Sequence, residues 1–225
     1  MKPATALAAL EAHGDPARAR GMAAYHKTPR RYFGTPVPDI AVLARGWQHL
    51  PPEDQIALAE ALWASDIHEA RIAAAKLFER RRVPAEAAVW RVIRGWVPDF
   101  DGWAIADHVC KAGSLRLLAD PARIDTVAGW TESASIWTRR AALVITLPWA
   151  RVADPLPFDT ATRERVLGWA AGYLDENDWF IHKAVGWWLR DLSKRDPDRV
   201  RDFLARHGAA MRPFARREAE KYLAG

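Results

Sequence analysis

Apolar and small residues recur at spacings of three and four along almost the whole chain, and prolines punctuate the recurrence. A period near 3.6 belongs to the α-helix, and a chain that keeps it leaves no room for the two-residue alternation of a sheet. The prolines sit between periodic segments or open them, as in "TPVPDI", "LPPEDQ", "VPAEAA", "ADPARI" and "RDPDRV". Proline is tolerated there because the first helical turn has no use for its missing N–H. The pattern predicts helices near 3–13, 15–27, 37–49, 52–64, 67–82, 84–96, 101–118, 121–131, 135–149, 160–174, 178–194, 197–206 and 212–223. The glycine-rich loops of Rossmann and P-loop folds are absent. The expectation is an all-α fold in one domain spanning 1–225.

The helices also repeat. Trp103 lies 34 residues before Trp137, which lies 43 before Phe180, and each aromatic opens a similar helix: "GWAIADHV", "IWTRRAAL" and "WFIHKAVG". Thirty-four residues before Trp103, "EARIAAAK" keeps the small-residue pattern without the aromatic. Such a period is that of HEAT-like helix pairs. The predicted architecture is a curved α-solenoid of about six antiparallel pairs, with one helix of each pair lining a concave, basic face.

Charge suggests what that face binds. The formal net charge is +5, and 26 of the 33 cationic residues are arginine. Arginine's planar fork suits phosphate, although an arginine-rich proteome would give the same composition. Cys110 is the only cysteine, so no internal disulfide or multi-cysteine metal site forms. His108 and Cys110 lie two apart with no third ligand in sight, so no metal is expected. The N-terminus does not read as a signal peptide, and no apolar run approaches the roughly 18 residues of a membrane span. A cytoplasmic monomer without membrane contact is expected.

Three short constellations fall on the repeated helices. Trp103 and Asp107 are four apart, Trp137 and Arg140 three apart, and Lys183 and Trp187 four apart, so each pair shares a helical face. Cations suit a phosphodiester backbone, aromatic faces suit a flat or cationic group, and a carboxylate suits a developing positive charge. Hydrolysis of an N-glycosidic bond in DNA calls on all three, because its transition state resembles an oxocarbenium ion. Each residue also has a plainer reading. Most tryptophans of a helical protein fill its core, Asp107 serves a helix start equally well, and Arg139 and Arg140 suit a solvated face.

At these positions the chain resembles the AlkD-type DNA alkylation repair proteins, which are HEAT-like-repeat alkylpurine DNA glycosylases. The likeness runs over nearly the whole chain: "GMAAYHK" followed by "YFGTPVP", then "ALWASDIHEARIAAAKLFE", "GWAIADHV", "IWTRRAALVI", "FIHKAVGWWLRDLSKRDPDRV" and "MRPFARREAEKYL". Each motif alone is weak; their order and spacing together are specific. The resemblance implies a catalytic Asp107 between cleft tryptophans Trp103 and Trp187. It places a backbone-holding arginine at Arg140, with Arg139 beside it, and a cleft tyrosine at Tyr25. It implies excision of N3- and N7-alkylated purines from double-stranded DNA without a deep base pocket, and no cofactor or metal. Members that bind distorted or branched DNA without excision form the alternative, and a scaffold for an acidic protein is a third reading. Pro29, Arg30 and Arg31 replace an apolar run of the family; with Lys27 they form a basic cluster suited to phosphate. Arg80–Arg82 are expected to end a helix, and Arg216 and Arg217 form a further pair. In the helix after Asp178, Trp187 should face the cleft, flanked by Lys183 and Arg190, while Trp188, about 100° around, should enter the core.

Overall fold

A computed structural model describes residues 1–223. Every regular element among them is helical, apart from a single isolated bridge between Arg31 and Ile67. The helices are α1 (Pro3–Ala12), α2 (Pro16–His26), α3 (Val37–Trp47), α4 (Pro52–Ala64), α5 (His68–Leu77), α6 (Glu86–Trp96), α7 (Trp103–Ala119), α8 (Ile124–Trp130), α9 (Ile136–Ile145), α10 (Leu147–Arg151), α11 (Pro157–Gly172), α12 (Trp179–Ser193), α13 (Pro197–His207) and α14 (Pro213–Glu220). This is an all-helical repeat fold. None of these helices is long and apolar enough to cross a membrane.

The starts follow from local chemistry. Asp15, Asp178 and Asp196 cap α2, α12 and α13, their carboxylates accepting backbone N–H groups that the first turn leaves unpaired. Proline occupies the first turn of α1 to α4, α11, α13 and α14. The predicted helix 135–149 divides in two. Thr146 leaves helical geometry, its hydroxyl donates back to the carbonyls of Ala142 and Leu143, and Pro148 brings no N–H. Helix α5 stops at Leu77, so Arg80–Arg82 lie in the following loop and not at a helix end.

The chain forms two compact units, divided between Ala119 and Asp120. In the first, α5 is the central helix and packs on α3, α4 and α7. Ala70, Ala73, Ala74 and Ala75 are fully buried, and their small side chains admit neighbours on nearly every side. Glu69 is buried with them; its carboxylate accepts the backbone N–H groups of Phe33 (3.0 Å) and Gly34 (2.7 Å). Gly34 has φ +77°, and a Cβ there would lie 2.2 Å from the Asp15 carbonyl oxygen, so only glycine fits.

In the second unit α12 is central and packs on α9, α10, α13 and α14. Gly186 permits the close approach of α14: a Cβ on it would meet the Ala215 backbone at 2.9 Å. Trp188, Leu189 and Val185 are fully buried. Asp191 is buried as well, and here the compensation is ionic, from Arg151 (2.7 and 2.9 Å), Arg190 (3.4 Å) and Lys194 (3.5 Å). Burial pushes its carboxyl up, but these cations prevail and hold it below the usual range.

The helices that carry the recurrence are α5 and α7 in the first unit and α9 and α12 in the second. Trp103 opens α7, Trp137 is the second residue of α9 and Phe180 the second of α12. Within each unit the two recurrent helices pack on each other.

Candidate nucleic-acid interface

The first unit places Trp103 at the start of α7 and Asp107 one turn later, both half-buried. The end of α2 supports the indole. Tyr25, 69% exposed, meets Trp103 edge-on at 6.1 Å, and His26 lies 5.5 Å from it. His26 stacks in turn on His68 (4.7 Å), which stacks on Tyr32 (4.8 Å). Trp103 is thus held by a column of rings rooted in α5. Burial pushes His68 down to about 3, with His26, Arg30 and His108 adding to the effect. His108 is pushed down to about 4, chiefly by burial and then by Lys76. Both imidazoles are neutral at pH 7.

The basic cluster expected nearby is mostly turned to other tasks. The Arg30 side chain is only 3% exposed and pairs with Asp66 (3.3 Å) and Asp101. Arg31 is exposed, pairs with Glu11 and lies 4.9 Å over the Phe33 ring. Lys27 ends α2 in the left-handed region (φ 57°), is exposed, and joins no ion pair among the described residues.

In the second unit the two arginines of α9 are not free forks. Arg139 is bidentate to Glu176 (2.9 and 2.6 Å) and also donates to the carbonyls of Ser133 and Ala134. Arg140 is 2% exposed. As it stands, neither presents a guanidinium edge to solvent for a phosphate. Trp137 is half-buried against Phe180 (4.8 Å).

Helix α12 supplies the more open surface. Its exposed Lys183 ammonium lies 4.7 Å over the ring of Trp179, which is itself 47% exposed. Trp187 is half-buried, whereas Trp188 is not exposed at all. Arg190 pairs with Glu218 and Asp191. A cavity of about 340 Å³ opens between α12 and α14, lined by Trp179, Lys183, Trp187, Arg190, Phe214 and Glu218.

Sequence reasoning passed over Trp179, Phe214 and His26. The first was legible, since Trp179, Lys183 and Trp187 are four apart in turn and share one helical face. Phe214 comes from another helix, and His26 reaches Trp103 only through the packing of α2. Among the described residues no group of three His, Cys, Asp or Glu is placed to hold a metal ion.

Two solved structures share this architecture. A protein of Enterococcus faecalis described as a predicted DNA alkylation repair enzyme superposes with a TM-score of 0.78 at 24% identity, over 94% of this chain and 97% of that one. AlkD2 from Streptococcus mutans superposes with a TM-score of 0.63 at 20% identity, over 84% of this chain and 91% of that one. No curated protein matches the chain. The family model described as DNA alkylation repair enzyme matches residues 6–223, so the chain belongs to the DNA alkylation repair enzyme family.

Proposed function

We propose that the protein is a monofunctional DNA glycosylase of base excision repair. It hydrolyses the N-glycosidic bond of N3- or N7-alkylated purines in duplex DNA. The observation that carries this reading is the pairing on α7: a half-exposed tryptophan one turn before a half-exposed aspartate, with Tyr25 and His26 bracing the indole. Family membership supplies the context of alkylation repair.

The chemistry suits those groups. An alkylated purine already carries positive charge, so it departs as a neutral base with the electron pair of the glycosidic bond and needs no acid. Positive charge then develops on the sugar, where the Asp107 carboxylate and the π face of Trp103 favour it; the family resemblance gives Trp187 a like part. Water adds to the anomeric carbon, and Asp107 accepts its proton. Tyr25, Lys27 and Lys183 are the exposed candidates for holding the DNA. Arg30, Arg31, Arg139, Arg140 and Arg190 serve as its electrostatic background, since each is buried or ion-paired.

The test is release of free base from duplex DNA containing N7-methylguanine or N3-methyladenine. Release should be lost in Asp107→Asn and fall at least a hundredfold in Trp187→Ala, with DNA binding retained in the first. Binding of duplex DNA without release by the unaltered protein would replace the enzyme with a non-catalytic DNA-binding member. Full-rate release by Asp107→Asn would remove that carboxylate from the mechanism.

A further inference from the structure

The cavity between α12 and α14 has a composition that the excision chemistry does not use. Its walls are aromatic: Trp179 stacks on Phe214 at 5.5 Å and 28°, and Trp187 joins the lining. At about 340 Å³ it lies at the small end of ligand sites, which run from about 300 to 1,000 Å³. The charges at its edge are unequal. Arg190 and Glu218 pair with each other, whereas Lys183 joins no ion pair among the described residues. An occupant that matches these walls has a flat aromatic body and a single anionic handle within reach of Lys183. A nucleotide of DNA has that form.

We propose that this slot stacks an unpaired nucleobase of the bound DNA on Trp179, with Lys183 taking the adjoining phosphate. The proposal rests on the reading that this face binds DNA. Trp179 now has Phe214 against it, while the Lys183 ammonium lies over its ring. That ammonium is the movable cover. An exposed cation–π contact is weaker than base–aromatic stacking, and the displaced lysine gains a phosphate partner in exchange. The exchange favours the nucleobase. Stacking on a π face ignores base identity, so the slot would accept any base that has lost its stacking partners. Trp187 forms part of the same wall, so an occupied slot also bears on the indole assigned to the sugar.

The experiment uses the full chain and a duplex carrying one unpaired 2-aminopurine, with the fully paired duplex as reference. Fluorescence reports stacking of the probe directly. The expected result is quenching with the bulged duplex and a bulge affinity about tenfold above the paired one. Trp179→Ala should abolish both while leaving paired-duplex binding and thermal stability unchanged, because the side chain is half exposed. Trp179→Phe should retain most of the quenching. Unchanged quenching in Trp179→Ala overturns the proposal, as does saturation by deoxyadenosine monophosphate at the concentration of duplex that saturates. Asp107→Asn separates the two readings. If the unaltered protein releases no base but Trp179-dependent quenching persists in Asp107→Asn, the glycosylase reading fails and the slot stands. If base is released normally and no quenching occurs, the slot fails alone.

Discussion

Helices α5 and α12 face the same physical problem and solve it differently. Each lies at the centre of its unit, packed on several neighbours, and each buries a carboxylate. An unpaired buried charge costs several kcal/mol, so both need compensation. In the first unit the compensation for Glu69 comes from neutral backbone donors of the Phe33–Gly34 turn. In the second, Asp191 is compensated by three cations, of which Arg151 is half exposed. The close approach differs in the same spirit. Alanines let α5 be surrounded, whereas on α12 a glycine, Gly186, lets one of its partners, α14, approach most closely. Glu69 at the centre of the first unit is therefore held by fixed dipoles. Asp191 at the centre of the second is held by mobile charges, and α12 also carries the exposed Lys183 over the ring of Trp179.

The largest expected effect falls on α12. Trp188 is fully buried, so Trp188→Ala should cost about 3–5 kcal/mol. Trp187→Ala, one residue away but half exposed, should cost a fraction of that and reduce base release instead. Thermal unfolding of the two variants side by side measures the contrast. If both lose stability equally, Trp187 belongs to the core and its assignment to the interface is wrong.

Acid should next separate the units. His68 and His108, both in the first unit, are held far below the ordinary histidine range, and His26 is lowered too by burial. Their folded values lie below the unfolded value near 6.5, so the unfolded chain binds protons first. Stability is therefore flat above about pH 6.5 and falls as the pH drops below it, until the folded values near 4 and 3 are reached. The slope is about 1.4 kcal/mol per pH unit for each such group. In the second unit the depressed Asp191 loses its contribution only as the pH falls below about 3.8. Amide exchange followed from pH 7 to 4.5 should show α5 and α7 losing protection before α12, and His68→Gln should flatten the slope. Earlier loss in α12 would refute the assignment.

How far the sequence discloses this depends on the range of the interaction involved. Periodicity, prolines and capping aspartates are local, and the helices follow from them. The break at Thr146 was hidden because an apolar run continues through it. Register alone puts Trp188 in the core and its neighbour Trp187 about 100° around, half exposed. Register does not place the arginines in the same way. Arg30 and Arg140 are turned inward, and Arg139 and Arg190 are spoken for by Glu176 and Glu218, residues 37 and 28 positions away. Spacing along a helix says which residues share a face; it does not say whether an anion from another element already occupies the guanidinium. The aromatic brace around Trp103 was hidden for the same reason.

Glu69→Gln tests the first unit's seal. The substitution keeps the shape but turns one acceptor into a donor facing a backbone N–H. Loss of that hydrogen bond, with a buried donor left unpaired, should cost about 1–3 kcal/mol. Glu69→Asp withdraws the carboxylate by one methylene and should do similar harm, whereas added salt should not change the wild-type contribution, because neutral donors are not screened. A strong salt dependence of the difference would show that charges, not dipoles, hold Glu69.

Asp191→Asn is the matching test of the second unit, and its effect should be the smallest. The partners are cations that water already solvates in part, so the ion pairs return little over hydration, about 1 kcal/mol. The amide still accepts one hydrogen bond from Arg151. The sign with pH distinguishes it from every other substitution here. The folded pKa of Asp191 is depressed, so its contribution is present above the unfolded value of about 3.8 and lost as pH falls through the folded one. The stability gap between wild type and Asp191→Asn should therefore be widest near neutral pH, shrink below pH 4 and narrow with salt. A gap that ignores both pH and salt would mean that Asp191 acts through shape alone, and the contrast between Glu69 held by dipoles and Asp191 held by charges would not hold.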